Sequence, residues 1–234
     1  MSLISLRTAI MFMTVISAIF IYLPFDVNAG SMNPGVMPLE DNPYGKSYSE
    51  WSGEFWRWVL SIPADQSPMF DDTGSRCGIQ QNGPVWFLPG SGEGLPVHRT
   101  CTIPGNTSLG IFVIGGECST AEYPERETYA ELLKCVQDTN RNLVAHSMSV
   151  DGVEVTNLEN YRVSSPLFEI NYPENNAWGV EAGVSPAVAD GIMLILEPLS
   201  KGAHKIQFSG EIPPVSPGQE NTFVTTATYD IVQK

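Results

Sequence analysis

The segment SYSEWSGEFWRWVLSIP, residues 47–63, constrains the fold more than any other part of the chain. Three tryptophans and a phenylalanine fall within positions 51–58. Ser47 and Glu50 form an S-x-x-E capping box, which predicts a helix over 47–62 that stops before Pro63. At helical spacing Trp51, Phe55, Trp58, Val59 and Ile62 share one face. Glu50, Glu54, Arg57 and Ser61 make a polar stripe beside it, and Trp56 and Leu60 fall outside both groups. Burying one indole is worth several kcal/mol, at about 25 cal/mol per Å² over roughly 200 Å². Such a helix cannot stand alone in water, so it must lie on a larger body. Trp51, Phe55 and Trp58 are expected to face that body. Trp56 is expected near the solvent edge, which makes it the first candidate for ligand contact. Trp178, in a predicted loop, is the second.

That body reads as β-structure. GPVWFLPG (83–90), PVHRTCTIP (96–104) and SLGIFVIGG (108–116) are apolar or alternating runs between Gly and Pro breakers. NLVAHSMSVDGVEV predicts a hairpin turning at Asp151-Gly152. SPLFEINY is a further strand, and residues 173–189 read as a long loop. GIMLILEPL is a nearly continuous apolar run, the pattern of a strand covered on both faces. AHKIQFSG and TFVTTATYDIV alternate, the latter placing Phe223, Thr225, Ala227, Tyr229 and Ile231 on one side. A second helix is predicted over 124–138, from Pro124 with Glu125 and Glu127 at its positive end. Its core face would carry Tyr129, Leu132, Leu133 and Val136. The expected fold is therefore mainly β, a β-sandwich of immunoglobulin-like or jelly-roll type with two packed helices.

Export is expected from the first 29 residues. Arg7 precedes an apolar run from Ala9 to Leu23, and Val27-Asn28-Ala29 supplies small residues at a cleavage point. The run is shorter than the ~20 residues that cross a bilayer comfortably, so no stable membrane insertion is expected after cleavage. The expected layout is a signal peptide at 1–29, an extended arm at 30–46 and a single domain at 47–234. All four cysteines lie in that domain. In an exported chain an even count implies disulfides, and Cys77–Cys101 with Cys118–Cys135 is the favoured pairing because each closes a local segment. No C-x-x-C spacing points to zinc. The formal charge of −14 repels phosphate backbones, which argues against nucleic acid as a partner.

The motifs of familiar chemistry are missing. There is no G-x-S-x-G elbow, no H-E-x-x-H and no EF-hand loop. His98, His146 and His204 fall on three different predicted strands, with no spacing that joins them. Glu50 and Glu54, one helical turn apart, are the weak catalytic candidates, because a glycosidase uses a carboxylate pair. An ion pair between Glu54 and Arg57 is the simpler reading. Asp71 and Asp72 are the weak metal candidates, as loop carboxylates suited to calcium. Asn106 opens an N-T-S sequon and would carry a glycan in a host that glycosylates. No cofactor is expected.

YGKSYSEWSGEFWRWVLSIP, GPVWFLPG, RTCTIPGNTSLGIFVIGGEC, DGVEVTNLENYRVSSPLFEI and EPLSKGAHKIQFSG, in this order, resemble a widespread group of exported prokaryotic proteins. Where many of that group have adjacent tryptophans, this chain has Phe55-Trp56. The resemblance implies one recurring secreted domain and brings no active-site residue with it. The expectation is a disulfide-stabilised extracytoplasmic protein, in the periplasm, at the cell surface or in the medium, with a binding or structural role. Its expected partners are a glycan or another extracellular protein. The alternative is a secreted glycan-active hydrolase using the helix carboxylates.

Overall fold

The computed structural model describes residues 33, 35–214 and 221–234. Residues 1–29, read above as an export signal, lie outside the described residues. In chain order the elements are α1 (Tyr48–Leu60), β1 (Val85–Leu88), β2 (Val97–Ile103), β3 (Ser108–Ser119), α2 (Tyr129–Thr139), β4 (Val144–Val150), β5 (Val153–Glu154), β6 (Arg162–Ser164), β7 (Phe168–Tyr172), β8 (Gly183–Leu196), β9 (Gly202–Ile212) and β10 (Phe223–Gln233). The protein is mainly β, with two helices and two mixed sheets, and neither sheet closes on itself.

The first sheet runs β1-β3-β8-β6, with β7 also pairing to β8. The second runs β2-β10-β9-β4-β5. Each contains one parallel pair, β1 with β3 and β2 with β10. The apolar run in β8 follows from its place in the first sheet. Leu194 and Leu196 enter a cluster shared with Ile206, Phe208, Tyr229 and Ile231 of the second sheet. Met193 and Ile195 enter a different cluster with Trp51, Phe55, Val59 and Leu60 of α1. The first sheet is thus the middle layer, with α1 on one face and the second sheet on the other.

Helix α1 starts with the capping box: Ser47 N–H donates to Glu50 Oε2 at 2.8 Å, and Glu50 N–H to Ser47 Oγ at 3.3 Å. Its buried surface is wider than the wheel predicts. Trp56 and Leu60 are 7% and 0% exposed, because loops and the neighbouring β3 surface cover the helix flanks as well as its inner face. The arm before it is docked as well. Val36 bridges to Leu196, Met37 N–H donates to Ile195 O, and Trp51 Nε1 donates to Pro43 O at 2.8 Å.

Three expectations are corrected. Helix α2 begins at Tyr129, where Thr128 and Glu131 form a second capping box that outcompetes Pro124 as the start signal. Tyr129 is therefore exposed, while Leu132, Cys135 and Val136 are buried. The stretch 173–189 is not all loop, since Gly183–Ala187 pairs with β7.

The structure joins Cys77 to Cys101 and Cys118 to Cys135. The second bridge ties α2 to β3. The first holds loop 71–78 along β2, where Thr100 N–H donates to Thr73 O at 2.9 Å. Gly74 sits there with φ +88°, and a Cβ would come within 2.5 Å of Thr100 O, so only glycine fits.

Inside the second sheet Arg99 is 1% exposed. Its guanidinium donates to Asp71 O (2.5 Å), Pro89 O (2.6 Å), Gly90 O (3.2 Å), Met69 O (3.1 Å) and Tyr229 Oη (2.7 Å). One buried cation thus fixes two loops and strand β10 relative to each other.

Candidate functional site

Pairing between β1 and β3 ends at Leu88↔Ile111, and the chain then leaves the sheet through Pro89–Gly92. From Phe112 onward β3 has no strand on that side among the described residues. Its register also shifts between Phe112 and Ile114, a β-bulge that re-aims the side chains around it. Gly115 follows at φ +150°, where a Cβ would lie 2.4 Å from Asp190 O. This open, bent stretch lines a cavity of about 300 Å³, enclosed by the second half of α1, loop 89–92, the end of α2, Trp178 and the start of β10.

The apolar walls are aromatic. Phe55 stacks on Phe112 with centroids 5.0 Å apart, and Trp56 meets Phe112 edge to face at 5.4 Å. Phe223 and Trp178 line the cavity and are partly exposed. Arg99 supports this wall from behind, because Met69, Pro89 and Gly90 are among both its partners and the lining.

Part of the polar lining gathers around Trp178, while Ser91, Asn221 and Thr225 lie by loop 89–92 and β10. Trp178 Nε1 donates to Glu117 Oε1 at 2.7 Å. Tyr172 Oη donates to Ser119 Oγ at 3.1 Å, and Ser119 Oγ donates to Glu122 Oε2 at 2.9 Å. The Glu117 and Glu122 carboxyls both line the cavity. Burial and then the Glu122 charge push the Glu117 carboxyl well above the usual carboxylate range. Burial, with the Glu117 charge, likewise raises the Tyr172 phenol.

Three cavity-lining side chains each hold a buried polar atom with no protein partner: Trp56 Nε1, Glu117 Oε2 and Asn140 Oδ1. Asn140 is fully buried, and its amide donates to Asp190 O at 2.7 Å, which fixes the orientation that leaves Oδ1 bare. Buried polar atoms without partners are rare in native proteins, and three around one cavity need an explanation.

The other candidate residues are placed as follows. Trp56 is buried, not at the solvent edge expected from the wheel, yet its indole lines the cavity. Trp178, 36% exposed, lines it from the opposite loop. Glu50 is occupied as the helix cap. Glu54 is held between Lys46 and Arg57; burial raises its carboxyl, but these two cations outweigh that and hold it below the ordinary range. Glu54 borders a different, polar recess with Trp51 and Trp58, and Glu50 does not line that recess. The two do not oppose each other across a cleft. Asp71 accepts hydrogen bonds from Thr73 N, Thr73 Oγ1 and Arg76 N, so its carboxylate organises its own loop, and Asp72 is exposed. Among the described residues no group of three or more His, Cys, Asp or Glu side chains could hold a metal ion. His98, His146 and His204 pair separately with Asp230, Glu211 and Asp151. Asn106 is exposed in the turn between β2 and β3, at φ +58°.

Glu117, Glu122 and Asn140 were not among the sequence candidates. The available signal was Glu117 itself, a lone charge straight after Gly-Gly in an otherwise apolar strand.

No protein-family model matches the chain, and no curated protein sequence matches it. The solution structure of Amebosin aligns at 12% identity over 64% of this chain and 99% of that chain, with a TM-score of 0.19. An overlap that small carries no argument about fold or function.

Proposed function

We propose that this is a secreted β-sandwich protein, stabilised by its two disulfides, that binds a compact hydroxylated ligand of about the size of one sugar ring in the cavity beside β3. The observation that carries this reading is the set of three buried polar atoms without partners in an aromatic-walled pocket. Each unsatisfied buried group costs about 1–3 kcal/mol. One donor (Trp56 Nε1) and two acceptors (Glu117 Oε2, Asn140 Oδ1) match the donor–acceptor character of neighbouring hydroxyls. Aromatic faces suit the apolar face of a sugar ring, and a cavity of about 300 Å³ sits at the small end of ligand pockets. Oxidised cysteines favour an oxidising compartment, which supports the extracytoplasmic assignment.

Binding is favoured over glycan hydrolysis by the carboxyl geometry. A glycosidase holds its carboxylates about 5–10 Å apart on either side of the scissile bond. Glu117 and Glu122 instead come from one strand-and-turn segment, where Trp178 and Ser119 hold them by hydrogen bonds. The test is titration of the full mature chain with monosaccharides and small polyols, read by tryptophan fluorescence and calorimetry. Saturable binding that shifts the emission, and that Trp56→Phe weakens at least tenfold, is the expected result. Absence of saturable binding across the panel overturns the proposal.

A further inference from the structure

The cavity meets the edge of β3 as well as its face. Every residue from Phe112 to Glu117 lines it. Side chains of a strand alternate between its two sides, so an unbroken run of lining residues makes the backbone edge part of the wall. The register shows which backbone groups point there. In an antiparallel ladder successive residues turn both of their groups towards the partner strand or both away from it. Thr120 N–H donates to Pro186 O at 3.0 Å, so Cys118 and Gly116, paired with Val188 and Asp190, face β8. Ser165 N–H donates to Ala189 O at 2.8 Å from the far side of β8. Glu117, the register partner of Ala189, therefore turns its groups away from β8, and Gly115 does the same two residues earlier. Further along, Ser119 O is taken up by Tyr123 N–H at 3.0 Å. The outward N–H and C=O groups of Gly115 and Glu117 have no such relief: among the described residues no strand pairs with them on the open side, and no loop backbone hydrogen-bonds to them.

From this we infer that the ligand carries a secondary amide, the acetamido group of an N-acetylated amino sugar, whose N–H donates to the open β3 edge at Gly115 or Glu117. The inference rests on the ligand-binding reading of the same cavity and adds the group that anchors the sugar. A planar trans amide is the unit a strand edge pairs with, and it turns its N–H and C=O to opposite sides. With the N–H on a β3 carbonyl, the C=O is free for a donor from another element. The buried Trp56 Nε1, on α1, is such a donor and has no protein partner. The acetyl methyl then meets the rings of Phe55, Trp56 and Phe112, a place where a hydroxyl would go without a hydrogen bond. The remaining edge N–H groups are left for ring hydroxyls. A peptide strand is the poorer occupant. Loop 89–92 closes one end of the open edge, the turn after Ser119 closes the other, and the bulge at Phe112 breaks the repeat that a strand would follow. One amide can pair there, and a run of amides cannot.

The experiment titrates the mature chain with N-acetylglucosamine, N-acetylgalactosamine and N-acetylmannosamine, with their parent hexoses and free amines, and with the N-methylacetamido form of each, which keeps the carbonyl and loses the N–H. Calorimetry at neutral pH gives the affinities. At least one acetamido sugar should bind about fivefold or more tighter than its parent, its amine and its N-methylated form, the worth of roughly one net hydrogen bond. In isotope-labelled protein its binding should shift the backbone resonances of Gly115 and Glu117 and leave those of β5, at the far edge of the second sheet, in place. Trp56→Phe should shrink the preference for the acetamido sugar, and Glu54→Gln, on the other recess, should leave it intact. Parent or N-methylated sugars binding within about fivefold of every acetamido sugar, or resonances of Gly115 and Glu117 that do not move, overturn the amide inference and leave the cavity reading standing. No binding by any member overturns both.

Discussion

Replacing Arg99 by Met removes the guanidinium at the centre of the second sheet while keeping much of its apolar volume. Five hydrogen bonds are lost, but the consequence is unequal among the acceptors. Pro89 O keeps the Tyr229 hydroxyl at 2.6 Å, and Met69 O keeps the Gly92 N–H at 3.1 Å. Asp71 O and Gly90 O are left with no other donor among the described residues. Two such carbonyls cost about 2–6 kcal/mol together, at about 1–3 kcal/mol each. Dehydrating a guanidinium is no longer required, which offsets part of this. The net expectation is a loss of about 3 kcal/mol, or roughly 6–12 °C in Tm for a chain of this size. Arg99→Lys retains a cation with up to three donors and should recover part of the loss. Urea unfolding followed by tryptophan fluorescence measures both variants. A loss below about 1 kcal/mol for Arg99→Met, or a lysine variant no better than methionine, would refute the view that this guanidinium holds the cavity wall. The sign is tied to the site as well, because Met69, Pro89 and Gly90 line the cavity, so ligand affinity should fall in parallel with stability.

Two further outcomes follow from the same geometry. The Glu117 carboxyl is raised in the fold, so its contribution is fully present below the unfolded value of ~4.3 and declines as pH rises through the folded value. The stability difference between Glu117→Gln and wild type should therefore be near zero at pH 4 and grow in favour of the variant towards neutrality, measured by urea unfolding across that range; a pH-independent difference would contradict the buried carboxyl. Removing the Cys118–Cys135 bridge by a double alanine substitution frees a loop with a sequence separation of 17 and should cost about 3 kcal/mol, checked by thermal unfolding, where a shift under 2 °C would show that α2 is held by its apolar contacts alone.

The layered arrangement was legible because it is written in periodicity. The capping box at Ser47, the alternation in β9 and β10 and the unbroken apolar run of β8 are local patterns with a local physical cause. Asp151 and Gly152 both have positive φ, as the Asp-Gly hairpin signal requires. Trp56 was misplaced for an equally physical reason. A helical wheel assumes one contacting surface, whereas α1 lies in a trough closed by loops on its flank. Glu117, Glu122 and Asn140 could not be assembled from spacing, since they come from the end of a strand, the turn after it and the residue after a helix. Their proximity is a product of topology, and the sequence marks it only as a charged residue where an apolar one would serve the core better.

The same topology accounts for where the cavity lies. A free strand edge invites unwanted pairing, and this fold covers the edges near the site with its own atoms. The Gln81 side chain pairs with Phe87 of β1 through both its oxygen and its nitrogen, at 3.0 Å and 2.8 Å, in the manner of a neighbouring strand. Loop 71–78, held by Cys77–Cys101, does the same for β2. Beyond Ile111, β3 is covered by aromatic side chains and the cavity instead of by a backbone partner. The bulge at Phe112, together with Gly115 and Gly116, makes that stretch a poor template for another strand while leaving room for a small molecule. A device that prevents edge pairing and a pocket that accepts a ligand are thus built from the same residues. A substitution that straightens the bulge should therefore weaken ligand binding and increase self-association together.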